Sequence, residues 1–149
     1  MQLEDILTPE RCFCDVEGVS KKRLIKTISD FLEEDVKYLS SNQIFDALMA
    51  RERLGSTGLG GGIAIPHCRV PSCKEIIGCI VTLDKAIDFD AVDSNPVDLL
   101  FVLIVPEQEN DEHIAILSQI ANLFADEHFC YILRNTHDGE DLYNVAITY

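Results

Sequence analysis

Between Val97 and Val105 the chain reads VDLLFVLIV, and Leu99 to Val105 is an unbroken run of seven apolar residues. With no polar alternation, such a run predicts a strand buried on both faces. Both faces then need covers, and the helical periodicities supply them. Leu24, Ile25, Ile28, Phe31, Leu32, Val36 and Leu39 recur at spacings of three and four, predicting an amphipathic helix over Lys21 to Leu39 with Ser20 as its cap. Ser40-x-x-Gln43 is a capping-box pattern opening a second helix. Ile44, Phe45, Leu48 and Met49 form its inner stripe, and it ends near Arg53 because Gly55 and Gly58 break the pattern.

Ile63 to Ile65 and Ile76 to Leu83 read as further strands, the latter also apolar on both faces. Pro66, Pro71, Pro96 and Pro106 punctuate the strand ends. Ile114, Leu117, Ile120, Ala121 and Phe124 describe a helix opening near Asn110 or Asp111, and a short final helix is expected over Gly139 to Ile147. Helices, then strands, then helices again predict a sheet covered by helices, α/β or α+β in class. A length of 149 residues fits one domain, taken as 1–149. Seven apolar residues fall far short of the roughly 20 that span a bilayer. The N-terminal MQLEDILTPERCFCD carries acids where a signal peptide needs a basic segment. A soluble cytoplasmic protein, without membrane insertion, is expected.

The formal net charge is −14, and it is unevenly spread. Residues 75–149 carry 15 acids against only Lys85 and Arg134. Nucleic-acid binding wants a basic face, so nucleic acid is a poor partner. A protein partner with a basic patch suits this surface better. Between Arg51 and Lys74 the balance reverses, with Arg51, Arg53, Arg69 and Lys74 against Glu52 alone. The six cysteines form no Cys-x-x-Cys, and a zinc site from His67, Cys68 and Cys73 matches no common spacing. Reduced, mostly buried thiols and no metal are expected.

The positive island contains five glycines in eight residues (Gly55, Gly58, Gly60, Gly61 and Gly62), the raw material of an anion-binding nest or of a flexible helix-to-strand turn. It is no nucleotide loop. Ile63 stands where a dinucleotide fingerprint wants glycine, and Gly61 where a P-loop wants lysine. The loop leads through a short strand to Pro66 and His67, with Ser56 and Thr57 as hydroxyls beside it. A neutral imidazole is a competent nucleophile for phosphoryl transfer, a reaction that needs positioning and charge stabilisation rather than further covalent apparatus. A guanidinium such as Arg51 about 8 Å away, at an effective dielectric near 20, disfavours an imidazolium by about 2 kcal/mol while attracting a phosphoryl dianion. His113, near the start of a helix, is a candidate second donor, since N-terminal N–H groups favour anions.

Arg51-Glu-x-x-Gly-Ser-Thr-Gly-x-Gly-x-Gly-Ile-Ala-Ile-Pro-His67 resembles the signature of the fructose/mannitol-type enzyme IIA domains of the bacterial phosphoenolpyruvate-dependent phosphotransferase system (PTS). Phe89-Asp-Ala-Val-Asp-Ser-Asn-Pro-Val-Asp-Leu-Leu-Phe-Val-Leu-Ile-Val-Pro106 is similar to the segment that follows in that family, and the wording is nearest its nitrogen-related branch. The resemblance spans nearly the whole chain. It implies an α/β sandwich, a small mixed sheet with helices on both sides. It implies that His67 accepts a phosphoryl group from an HPr-like carrier charged by enzyme I, without cofactor, and that Arg51 and His113 flank that group. Ser56, Thr57 and Gly58 fall where the family's loop passes the site, as phosphate-binding candidates.

Two departures stand out. Cys68 follows the histidine where this branch often has glycine, a side chain that either narrows the approach of a partner or introduces an oxidisable thiol beside the site. Gly61 replaces a frequent asparagine, which loosens the loop slightly. Two functions share the His67 chemistry. One is a regulatory module whose phosphorylation state controls partner proteins; the other is a carrier that passes the group to a IIB domain. The lack of an appended IIB or membrane IIC segment favours the regulator. A metal or small-ligand module without phosphoryl chemistry is the third reading.

Overall fold

The computed structural model describes residues 1–108 and 111–149. In chain order the elements are β1 (Cys12–Val16), α1 (Lys21–Asp35), α2 (Ser41–Arg53), β2 (Gly58–Gly60), β3 (Ile63–Ala64), β4 (His67–Val70), β5 (Ile77–Ile87), β6 (Val97–Pro106), α3 (Asp111–Phe124), α4 (Glu127–Arg134) and α5 (Gly139–Thr148). The sheet is mixed, in the order β1-β5-β6-β3-β2, with β4 also paired to β6. β5 and β6 are antiparallel, with Ile80 opposite Phe101 and Val81 opposite Leu100. β1 lies parallel to β5, while β3 and β4 lie parallel to β6.

The doubly apolar strand explains the layering. Leu100, Val102 and Ile104 pack with Leu24, Ile25, Ile28, Leu32, Ile44 and Leu48 of α1 and α2. Leu99, Phe101, Leu103 and Val105 pack on the other face with Ile116, Ile120, Phe124, Phe129, Leu133 and Leu142 of α3, α4 and α5. At roughly 1.5–3 kcal/mol per fully buried large side chain, these seven residues of β6 contribute about 10–20 kcal/mol before conformational entropy is charged against it. The fold is therefore the α/β sandwich that the family signature implies, a small mixed sheet between two helical layers.

β3 and β4 keep one register against β6, since Ile63 faces Leu99 and His67 faces Leu103. They follow β6 as one segment interrupted at Ile65 and Pro66, with β2 paired on the outer side of β3. Proline has no N–H to give the ladder, yet the Pro66 carbonyl still accepts from Leu103 N at 2.9 Å. His67 thus opens a further strand, β4, beyond the short one expected over Ile63–Ile65.

Several boundaries differ from the sequence reading. α1 stops at Asp35, because Val36 turns out of helix (φ −109°, ψ 92°), although Leu39 remains buried from the connecting turn. Apolar periodicity marked burial there and not helix. β5 continues to Ile87 through exposed Asp84, Lys85 and Ala86. β1, β2 and the short α4 are additional elements; α4 is capped by Asp126, whose carboxylate accepts from Phe129 N at 3.1 Å. α3 begins at Asp111, and the alternative start at Asn110 lies outside the described residues. Among the described residues no helix is long and apolar enough to cross a membrane.

β2 tolerates no added side chain at its first position. A Cβ on Gly58 would lie 2.8 Å from Ala91 Cβ and 2.9 Å from its Cα. Gly58→Ala is expected to lower unfolding free energy by about 1–3 kcal/mol in a urea titration; wild-type stability in that variant would contradict this packing.

Candidate functional site

His67 is half-buried at the start of β4, where the backbone chooses its tautomer. Its Nδ1 lies 2.9 Å from the Ile65 carbonyl oxygen. A carbonyl only accepts, so Nδ1 carries the proton and the Nε2 lone pair is left uncommitted. Burial is the largest influence on this imidazole and holds its pKa below the ordinary histidine value; the Arg51 guanidinium adds to that lowering. The bond to Ile65 and the Glu52 carboxylate oppose it. The lowering favours the uncharged ring at neutral pH.

Two depressions meet at His67. One, of about 420 Å³, is bordered by Arg51, Leu54, Cys68, Arg69, His113 and Ile114 among others. The other, of about 380 Å³, is bordered by Arg51, Ser56, Thr57, Leu59 and Ser118. Arg51, His67, Ile114 and Leu117 border both. Arg51 comes from the last turn of α2, and its Nη1 donates to the Gly55 carbonyl at 2.8 Å. His113 comes from the first turn of α3 and is buried. The structure therefore brings His67, Arg51 and His113 to one place. It also turns Ile114 out to the rim, 60% exposed, where Leu54 (84%) and Leu59 (49%) are exposed as well.

The loop residues play a different part from the one expected. The Ser56 hydroxyl donates to the Phe89 carbonyl at 2.6 Å and accepts from Gly58 N at 3.0 Å. The Thr57 hydroxyl and backbone N–H both donate to the Glu52 carboxylate, at 2.5 and 3.2 Å. Both hydroxyl protons and the Gly58 N–H are already engaged in holding the loop, so in this arrangement they do not form a phosphate cradle. Nor do the glycines make a nest under His67. Gly60, Gly61 and Gly62 take φ of +97°, +66° and +82° in the β2–β3 turn, where Gly61 N donates to Asp93 and the Gly61 carbonyl accepts from Arg134.

Glu52 went unread in the sequence as more than the lone acid of a basic island. It is buried, and its carboxylate lies 2.9 Å from Lys21 Nζ at the start of α1. Its only sequence signal was its place beside Arg51 in the family signature. The idea of a redox-sensitive Cys68 is corrected by its position. The thiol is buried in the core beneath α2, and burial pushes its pKa up to about 12, far from a reactive thiolate. All six cysteines are free thiols.

Comparison with known proteins gives a consistent family. The model for "Phosphoenolpyruvate-dependent sugar phosphotransferase system, EIIA 2" matches residues 5–147. A nitrogen regulatory protein of Pseudomonas aeruginosa is 44% identical over 147 residues, covering 99% of this chain and 96% of that protein. The crystal structure of the nitrogen regulatory protein IIA-Ntr from Neisseria meningitidis superposes with a TM-score of 0.89 at 37% identity, covering 95% of this chain and 97% of that one. A complex of enzyme IIA and phosphorylated enzyme IIB of the Escherichia coli mannitol system matches with a TM-score of 0.68 at 19% identity, over 95% of this chain and 89% of that one. At that identity the likeness concerns the fold alone.

A lowered His67 pKa has a defined linkage sign. The unfolded chain binds the proton at about pH 6.5, whereas the folded protein binds it only at lower pH. Stability from this group is thus full above pH 6.5 and declines as pH falls through the interval down to the folded pKa. An NMR titration of the His67 ring is expected to show a midpoint below 6.5. Arg51→Ala should raise that midpoint only part of the way, because burial remains. A wild-type midpoint at or above the unfolded value would contradict this description of the site.

Proposed function

Because the chain belongs to the EIIA 2 family of the phosphoenolpyruvate-dependent sugar phosphotransferase system, we propose that His67 Nε2 is its phosphoryl acceptor and that the protein is a phosphorylation-controlled regulator. The observation that carries this reading is the Nδ1 bond to the Ile65 carbonyl, which leaves Nε2 unprotonated in a depression shared with Arg51. The donor is a phosphohistidine on an HPr-like carrier protein. Nε2 attacks its phosphorus, the new N–P bond forms as the donor N–P bond breaks, and the donor imidazole leaves with the electron pair. No nucleotide, metal or cofactor takes part.

Such a transfer passes through a loose transition state, so the site contributes placement and charge compensation. Arg51 serves twice, disfavouring the imidazolium of the free site and attracting the equatorial oxygens during transfer. His113 donates to the same group from the base of the depression. Ser56, Thr57 and Gly58 act one step back, holding the wall in shape. The exposed apolar rim of Leu54, Leu59 and Ile114 suits docking of a protein, not of a small metabolite.

The likeness to proteins named nitrogen regulatory proteins supports a regulatory output over sugar transport. In that role the phosphoryl group places roughly two negative charges among apolar rim residues, and partners that bind one state are repelled by the other. A second reading, transfer onward to a IIB domain, is supported by the sugar phosphotransferase system in the family's description.

Incubation with phosphoenolpyruvate, enzyme I and carrier protein is expected to add one acid-labile phosphoryl group, and His67→Ala to abolish it. Persistent labelling of that variant would refute the assignment. Arg51→Ala should slow transfer about 10- to 100-fold while the fold stays intact; an unchanged rate would remove Arg51 from this role. Rapid discharge of the phosphorylated protein by a IIB domain would replace the regulatory output with the carrier one.

A further inference from the structure

A single hydrogen-bonded path runs from the far side of the site into the His67 ring. Lys21 Nζ, at the start of α1, lies 2.9 Å from Glu52 Oε1 on α2. Glu52 accepts from Thr57 N and Thr57 Oγ1. The Thr57 carbonyl accepts from Ile65 N at 3.1 Å. The Ile65 carbonyl, on the same residue, accepts from His67 Nδ1. Lys21 is itself fixed, since its ammonium sits 4.5 Å above the Phe89 ring and 3.4 Å from the Phe89 carbonyl that also accepts from Ser56.

We propose that Glu52, clamped by Lys21, is a positioning residue that sets the tautomer and orientation of His67 through Thr57 and Ile65. Packing does not explain this ion pair. The interface between α1, α2 and the sheet is apolar, and burying the Glu52 carboxylate costs several kcal/mol unless a close cation and further bonds compensate. An apolar pair of similar volume would serve cohesion as well. What an apolar pair cannot do is hold the loop. Glu52 gathers one bond from α1 and two from Thr57, so a single carboxylate fixes three segments against each other. Arg51, the preceding residue, holds the same loop from outside at the Gly55 carbonyl. Two successive side chains of α2 thus grip residues 55–57, one bordering the depression and one reaching the backbone that orients the imidazole.

The proposal rests on His67 as acceptor for its functional consequence, but the tautomer is measurable on the unphosphorylated protein. With 15N-labelled imidazole above pH 8, two-bond proton–nitrogen correlations distinguish a bare Nε2 from a bare Nδ1. The wild type is expected to show the Nδ1–H form alone. Glu52→Gln is expected to show both forms, and to accept phosphoryl about tenfold more slowly at saturating donor, with less than about a twofold change in the half-saturating donor concentration. Should the loss of the Glu52 charge beside Lys21 prevent folding of that variant, Lys21→Met/Glu52→Gln removes both charges and keeps the volume. It should show the same mixed tautomer, and a double-mutant comparison should give no further loss beyond Glu52→Gln. A folded variant of either kind with the wild-type tautomer would overturn the proposal, whatever its rate. A wild type that accepts no phosphoryl group would instead overturn the proposed function, leaving the tautomer result to stand.

Discussion

One strand with no polar face governs this molecule. Because β6 must be covered on both sides, α1 and α2 are drawn to one face and α3, α4 and α5 to the other. The site is a consequence of that layering. β4 lies parallel to β6 in a register that sets His67 beside Leu103. From opposite layers the end of α2 and the start of α3 then deliver Arg51 and His113 to the same depression beside His67. No single element carries the chemistry; the shared strand brings the pieces together.

Within the site, backbone geometry does the work usually given to a side-chain orienter. A carboxylate bonded directly to the ring would hold the proton equally well but would also stabilise the imidazolium, raising the fraction of protonated, non-nucleophilic ring. The neutral Ile65 carbonyl fixes the tautomer with a smaller electrostatic cost to nucleophilicity. The Glu52 carboxylate is kept behind Thr57, against that residue and Lys21. Burial, with Arg51 adding to it, lowers the pKa of the ring, and the guanidinium borders the same depression.

Much of this was legible in the residues, and the failures share one cause. The apolar run, the two stripes of α1 and α2, and the start of α5 at Gly139 were visible because their patterns are local. His67 and Arg51 stood out as a histidine after a proline and an arginine before a glycine-rich loop. What stayed hidden was non-local. Nothing in the order Gly-Ser-Thr-Gly says that both hydroxyls will be engaged by Glu52 and Phe89, residues set by the packing of α2 and of the loop before β6. Glycine content suggested an anion nest, but three of those glycines turn the chain toward Asp93 and Arg134. Cys68 suggested an oxidisable thiol because it follows His67, yet alternation along β4 sends it into the core while His67 faces the cleft. Leu39 kept the helical period after the helix had ended, because burial and helicity are separate properties.

The central claim concerns one nitrogen atom, so the most direct measurement is the site of the N–P bond in the phosphorylated protein. Phosphorus–nitrogen coupling in 15N-labelled material reads it without mutation. The account predicts a single phosphohistidine, at Nε2 of His67, with Nδ1 still protonated against the Ile65 carbonyl. Coupling to Nδ1, or to a nitrogen of any other histidine, would contradict it.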